Sequence, residues 1–171
     1  YTVARQIGSV FQDPKSQFFS SELAGEAAFA CENYGFSAEE IRDRTDDAIV
    51  SFGLNGFRSR NLDVLSSGEK QKVAIASVYA LRPDIYVCDE PTSNLDKTGA
   101  EQLAAVFKQL KAEGHTIIIA EHRLSWLHGI ADRFIYVRDG RVLWERNTAE
   151  MEQLSPEERE RYGLREITEK G

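Results

Sequence analysis

The sequence predicts an α/β domain built on a mostly parallel sheet, with a small helical subdomain inserted into it. Three observations carry this prediction. Short apolar runs alternate with helix-length amphipathic segments along residues 5–145, the pattern of strand–helix crossovers. Residues 22 to about 60 read as helix and connector without a strand. Polar residues follow three strands, as Gln12, Asp89-Glu90 and Glu121-His122, and in such sheets functional groups collect at strand carboxyl ends.

The first strand is residues 5–11, RQIGSVF, with Ile7, Val10 and Phe11 as its apolar members and Gln12-Asp13-Pro14 as its stop. Residues 13–21 form a loop with two adjacent aromatics, Phe18 and Phe19, which either plug into the chain's own core or meet a partner. A helix is predicted over 22–34, where Leu23, Ala27, Ala30 and Tyr34 recur at spacings of three and four, and Gly35 ends it. Ser37 with Glu40 makes a capping box for a helix to about Phe52, with Ile41, Ala48, Ile49 and Phe52 inward. Gly53 and Gly56 bracket a turn, and a polar connector follows to Asp63.

Ser66-Ser67-Gly68 opens a helix to about Ala80, with Val73, Ala76, Ser77 and Ala80 as its tight face, and Arg82-Pro83 ends it. Residues 85–88 fit a central parallel strand. Residues 97–111 are amphipathic, with Leu103, Val106, Phe107 and Leu110 inward, and Gly114 stops them. TIIIA, residues 116–120, reads as a buried strand, and 124–130 as a short helix. Residues 133–137 and 141–145 flank Asp139-Gly140, a hairpin signal because that turn needs positive φ. A helix over 148–154 has Thr148 as its cap, and 155–171 is a charged tail or linker.

Composition narrows the function classes. At 171 residues the chain supports one domain with a real core. The net charge of −7, without a Lys/Arg run, argues against a general nucleic-acid binder. No segment approaches a membrane span, so work at a membrane implies docking to a partner. Cys31 and Cys88 are too far apart in sequence to form a metal-ligand cluster, and Cys88, in an apolar run, reads as a buried free thiol.

Residues 65–96, LSSGEKQKVAIASVYALRPDIYVCDEPTSNLD, carry the chemistry. Asp89 and Glu90 leave a buried strand together; one carboxylate can hold Mg²⁺ while its neighbour polarises an attacking water. Gln12 can bridge metal and water through its amide, and His122 can donate to a phosphate oxygen. Ser66, Ser67 and Gly68 offer a hydroxyl and backbone N–H groups at a helix N-terminus. Any one of these has a bland reading: a solvated turn, a structural His, an acidic loop. Their combination in this order leaves nucleotide phosphate chemistry.

These motifs resemble the ATPase subunits of ATP-binding-cassette transporters. VFQDP is similar to the family's Q-loop, with Gln12 as its glutamine; LSSGE, Leu65 to Glu69, to its LSGGQ signature; YVCDEPTSNLD to its Walker B segment and D-loop; AEHR to its switch-histidine motif. The set covers about residues 5–140. FQDPKSQFF, CENYG and AEHRL most resemble the energy-coupling-factor and cobalt-type importer ATPases, which often carry two cassettes in one chain. The resemblance implies a P-loop NTPase-like ATPase domain over 1–154, with a helical subdomain at about 22–80 and a tail over 155–171. It implies ATP and Mg²⁺ as ligands, with Asp89 supporting the metal, Glu90 as general base, Gln12 sensing metal and water, and His122 on the γ-phosphate. Ser66, Ser67, Gly68, Glu69 and Asp96 would act across a head-to-tail dimer with a second ATPase domain. Phe18, Phe19 and the helical subdomain would receive a transmembrane subunit, on the cytoplasmic face of the membrane.

Three departures qualify this. Ser67 stands for the first signature glycine and Glu69 for its glutamine, and the added Cβ and charge either weaken the approach to ATP in trans or are tolerated variation. No GxxxxGK[ST] occurs, although the family places its phosphate loop upstream of the Q-loop; the start at Tyr1 suggests a cut chain, missing the N-terminal strands and phosphate loop. These residues alone are therefore expected to bind ATP poorly and to expose apolar surface beside Val87 and Ile117, Ile118 and Ile119, inviting oligomerisation or exchange of elements. The alternatives are a non-transport cassette protein, disfavoured for coiled-coil types by the short spacing between Q-loop and signature, and a non-catalytic regulatory or dimerisation module.

Overall fold

Hydrophobic period and caps divide the chain much as expected. The computed structural model describes residues 6–13 and 18–164. Pro14, Arg5 and residues 165–171 of the expected tail lie outside these. The chain separates into two compact units, residues 1–120 and 121–171.

The first unit holds a parallel sheet of β1 (Ile7–Val10), β2 (Ile85–Asp89) and β3 (Thr116–Ala120), in the order β1-β2-β3. Val10 pairs with Cys88 and Asp89 with Ala120. Parallel pairing brings the three strand ends, and the polar residues of the unit that follow them, to one edge. Around the sheet lie α1 (Leu23–Asn33), α2 (Ala38–Ser51), α3 (Ser67–Tyr79) and α4 (Lys97–Ala112). The capping box expected at Ser37 forms, and a second, not read from the sequence, forms at Ser66: the Ser37 and Ser66 hydroxyls accept from the backbone N–H of Glu40 and Glu69, whose carboxylates accept in return. The α1, α2 and α3 helices pack on one another through Leu23, Ala27, Cys31, Ile49 and Val73, all buried. Cys31 and Cys88 are both free and buried; burial pushes the Cys88 thiol up to about 12.

Two burial expectations change. Of the three apolar members expected to be buried in the first strand, only Val10 is; Ile7 and Phe11 are exposed. A strand alternates faces with period two, so Val10 cannot share a face with residues 7 and 11. β3 is not buried on both faces either. Its residues alternate between half-buried and exposed, and Ile118 is 55% exposed, because helix packing covers one face of the sheet. On the covered face a Cβ at Gly8 would stand 2.2 Å from Val78 Cγ1 of α3 and 2.9 Å from Pro83 Cγ. Among the described residues this is the tightest glycine contact.

In the second unit β4 (Arg133–Arg138) pairs antiparallel with β5 (Arg141–Asn147). Asp139 and Gly140 take φ of 51° and 72°, as the two-residue hairpin turn requires. Tyr136 stacks on Trp144 at 5.2 Å, with Tyr162 edge-on to both. The helix expected over 124–130 is only a 3-10 turn, Ser125–Leu127, and Gly129, at φ 71°, follows closely. Thr148 is not the cap of the next helix, α5 (Thr148–Glu152). Asn147 is, and the Thr148 hydroxyl donates to Ala131 O at 2.7 Å. Part of the charged tail is helical: α6 (Pro156–Arg161), capped by Ser155. Among the described residues no helix is long and apolar enough to cross a membrane.

Candidate functional site

At the carboxyl edge of the parallel sheet, Gln12 and Glu90 meet. Gln12 Nε2 donates to Glu90 Oε2 at 3.2 Å, although the residues are 78 apart in sequence. Asp89 ends β2 with its side chain exposed, while Glu90 is half-buried. A turn in the chain separates the two carboxylates: Glu90 has φ of 42°, the left-handed region that costs a non-glycine residue about 1–3 kcal/mol. Two backbone bonds hold it there. Glu90 N donates to Ala120 O at 2.8 Å, and Ser93 N to Glu90 O at 3.1 Å. The Ala120 bond continues the ladder one residue beyond β2, so the sheet sets the direction of this side chain.

The signature turn lies at the start of α3. Ser66 and Ser67 are exposed and Gly68 half-buried. Ser66 N donates to Glu69 Oε2 at 2.8 Å, and Glu69 N to Ser66 Oγ at 3.3 Å. The Glu69 carboxylate is thus turned back onto its own turn, and its charge complements the positive end of the helix. The bond from the Ser66 backbone, then that from its hydroxyl, holds the Glu69 carboxyl below its ordinary 4.5. A carboxyl lowered in the folded state contributes stability that is complete above its unfolded value and lost as pH falls through the folded one. Glu40 and Glu158 are lowered in the same way, by Ser37 and Ser155. Urea titrations from pH 6 to pH 3 should therefore show stability falling below about pH 4.5, with a shallower acid limb in Glu69→Gln. An unchanged limb would exclude Glu69 from that loss.

Lys70 and Gly99 were not foreseen from sequence as parts of this region. Lys70 is buried, and its Nζ donates to Asp63 O at 2.9 Å, tying the preceding connector to α3. Asp96 caps α4, with Oδ1 accepting from Gly99 N at 2.8 Å. A Cβ at Gly68 would lie 3.5 Å from Gly99 Cα, so the first turns of α3 and α4 touch. The structure therefore joins Ser66, Ser67, Gly68, Glu69 and Asp96 into one cluster, and Gln12 with Asp89 and Glu90 into another. His122 belongs to the second unit and is exposed; its backbone N–H donates to Glu121 Oε1 at 2.9 Å, as does that of Arg123 at 3.1 Å. Among the described residues no group of three or more His, Cys, Asp or Glu could hold a metal ion. Asp89 and the Gln12 amide oxygen are a sparse oxygen donor set. That fits Mg²⁺, which keeps most of its waters.

A second feature of the first unit is an apolar groove of about 550 Å³, lined by Phe11, Phe18, Phe19, Phe29, Tyr34 and Val78 among others. Of the two alternatives for the loop aromatics, Phe19 takes the outward one. It is 73% exposed and stacks on Phe29 at 4.4 Å, while Phe18 is half-buried.

Known proteins share sequence and fold with this chain. Residues 2–93 match the family model described as ABC transporter. A Treponema denticola protein described as an ABC transporter ATP-binding protein is 43% identical over 80% of this chain and 28% of its own length. One from Pyrococcus horikoshii is 37% identical over 96% of this chain and 62% of its own length. The structure of cbiO1 from Clostridium perfringens, part of the ABC transporter complex cbiONQ, superposes with a TM-score of 0.82 at 32% identity, covering 94% of this chain and 63% of that one. The chain thus spans less than two thirds of the length of these relatives.

Proposed function

We propose, from the premise that this chain belongs to the ABC transporter family, that it forms the hydrolytic and docking part of an ATPase subunit driving import. The observation that carries this reading is the Gln12–Glu90 hydrogen bond beside the exposed Asp89 at the sheet edge. Glu90 is the general base. Its carboxylate is aimed by the left-handed backbone and by Gln12, and it accepts a proton from water as that water attacks the γ-phosphate of ATP. Asp89 and the Gln12 amide oxygen would hold Mg²⁺, which supplies charge neutralisation on the phosphates. The resemblance alone assigns His122 to the γ-phosphate. Ser66, Ser67, Gly68, Glu69 and Asp96 face the nucleotide of a second cassette in a head-to-tail dimer. Glu69 acts there indirectly, since its charge is engaged in capping Ser66. That arrangement favours tolerated variation over a weakened signature.

The aromatic groove receives an apolar helical segment of a transmembrane subunit, and the chain works at the cytoplasmic face of a membrane. The neighbour from the cbiONQ complex supports an importer of the cobalt and energy-coupling-factor type, with a vitamin or metal ion as cargo. The working unit is a cassette domain over residues 1–154 with its helical subdomain at about 22–80.

A single comparison tests the reading. These 171 residues contain no GxxxxGK[ST], so alone they should show no ATP turnover above background. Joined to a phosphate-loop segment from a relative, they should hydrolyse ATP. Signature-dependent turnover by the 171 residues alone, or none by the joined chain when folded, would overturn it.

A further inference from the structure

Glu26 stands out because nothing in the hydrolytic chemistry uses it. It lies on the inward face of α1 between Leu23 and Ala27, and is only 6% exposed. A carboxylate in such a place is costly unless its oxygens are hydrogen-bonded. Here Oε2 accepts from two successive backbone donors, Phe19 N at 2.8 Å and Ser20 N at 2.9 Å. Adjacent peptide N–H groups converging on one oxygen form an anion nest, with the short distances of charge-assisted bonds.

The same loop is held at two further points. A Cβ on Gly25 would come within 2.4 Å of Ser20 Oγ and 3.2 Å of Ser20 Cβ, so the missing side chain lets Ser20 lie against α1. The Phe19 ring rests on Phe29 of α1. Glu26 and Phe29 both line the groove. The result is a fixed backbone beneath a ring that remains largely in solvent.

We propose that Glu26 is a positioning residue for docking: its buried carboxylate latches residues 18–20 onto α1 and so holds the Phe19 side of the groove in its binding shape. The inference rests on the docking role given above and adds the device that prepares the surface for it. Its benefit is preorganisation. A loop ordered before the partner arrives does not lose that freedom on binding. An exposed aromatic held this firmly adds little to the chain's own core, so the ordering serves a contact made from outside.

Three measurements on the 171-residue chain and its variants test this. Amide exchange followed by NMR should show Phe19 and Ser20 exchanging on the order of tenfold or more faster in Glu26→Ala. The part of Nile red binding that Phe29→Ala removes reports the groove, and that part should be about tenfold weaker in Glu26→Ala. Glu26→Gln should recover most of both, because its amide oxygen can still accept. Gly25→Val keeps the carboxylate but crowds Ser20; it should reproduce the loss by a second route if Glu26→Ala does not fold. Unchanged exchange at Phe19 and Ser20 would overturn the latch, and so would faster exchange with unchanged dye binding, or Glu26→Gln as impaired as Glu26→Ala. Phe19→Ala separates the two readings, since it leaves the carboxylate and both amides in place. If the transmembrane subunit of the transporter binds Phe19→Ala as tightly as the unaltered chain, the docking role fails while the exchange measurements stand.

Discussion

Glu90→Gln is expected to lower ATP turnover by about 10²–10⁴-fold, measured in a chain that also carries a phosphate-binding loop. The substitution nearly preserves shape. An amide can occupy the same left-handed position, φ 42°, and can still meet Gln12, while Glu90 N keeps its bond to Ala120 O. What it loses is the ability to take a proton from water. Turnover should therefore fall with nucleotide affinity nearly unchanged, and the melting temperature should stay within a degree or two. That pattern separates loss of a base from loss of a fold. A fall of less than about tenfold would remove Glu90 from that role. Gln12→Ala should act more mildly, because it removes a group that orients the carboxylate and not the carboxylate itself.

Gly8→Ala should give the largest loss of stability of any glycine-to-alanine change among the described glycines. Its new carbon would sit 2.2 Å from Val78 Cγ1 and 2.9 Å from the Pro83 ring. Neither neighbour yields easily: valine is stiff at χ1, and proline is locked by its ring. Overpacking of this kind costs about 1–3 kcal/mol. For a chain of this size that corresponds to several degrees of melting temperature. The effect reaches the chemistry too, since β1 carries Gln12 two residues beyond its end. Relief should come from the other partner: Val78→Ala in the same chain should restore part of the stability, as expected for two groups in direct contact. Gly8→Ala with full stability would show that β1 can shift away from α3.

How much of this was readable from the residues depends on the range of the interaction. Capping is local, so the box at Ser37, the helix start at Ser66 and the Asp139-Gly140 turn appear in the structure as the sequence implies. The convergence of Gln12 with Asp89 and Glu90 was also legible, because parallel strands bring their carboxyl ends together whatever their spacing in the chain. Burial was harder to read. An apolar strand such as TIIIA looks the same whether one face or two are covered, and coverage is a property of distant segments. The side chains that hold the surroundings in place were not visible at all. Glu26 is a single acid among alanines, and Lys70 is one of two lysines beside the signature; each gains its role from a carbonyl or amide brought close only by folding. Asn147 took the cap from Thr148 for a related reason: the threonine hydroxyl found a carbonyl in the preceding loop.

The left-handed backbone at Glu90 has a consequence for anyone improving this protein. Glycine adopts that conformation without the steric cost a glutamate bears, and at positions of this kind such an exchange is worth about 1 kcal/mol or more. A library screened for expression yield or heat resistance alone would therefore enrich Glu90→Gly. Each round of such selection would move the population toward better-behaved chains that lack the proposed base. Screens on this scaffold need an activity gate from the first round, because here the direction of increasing robustness runs away from the chemistry.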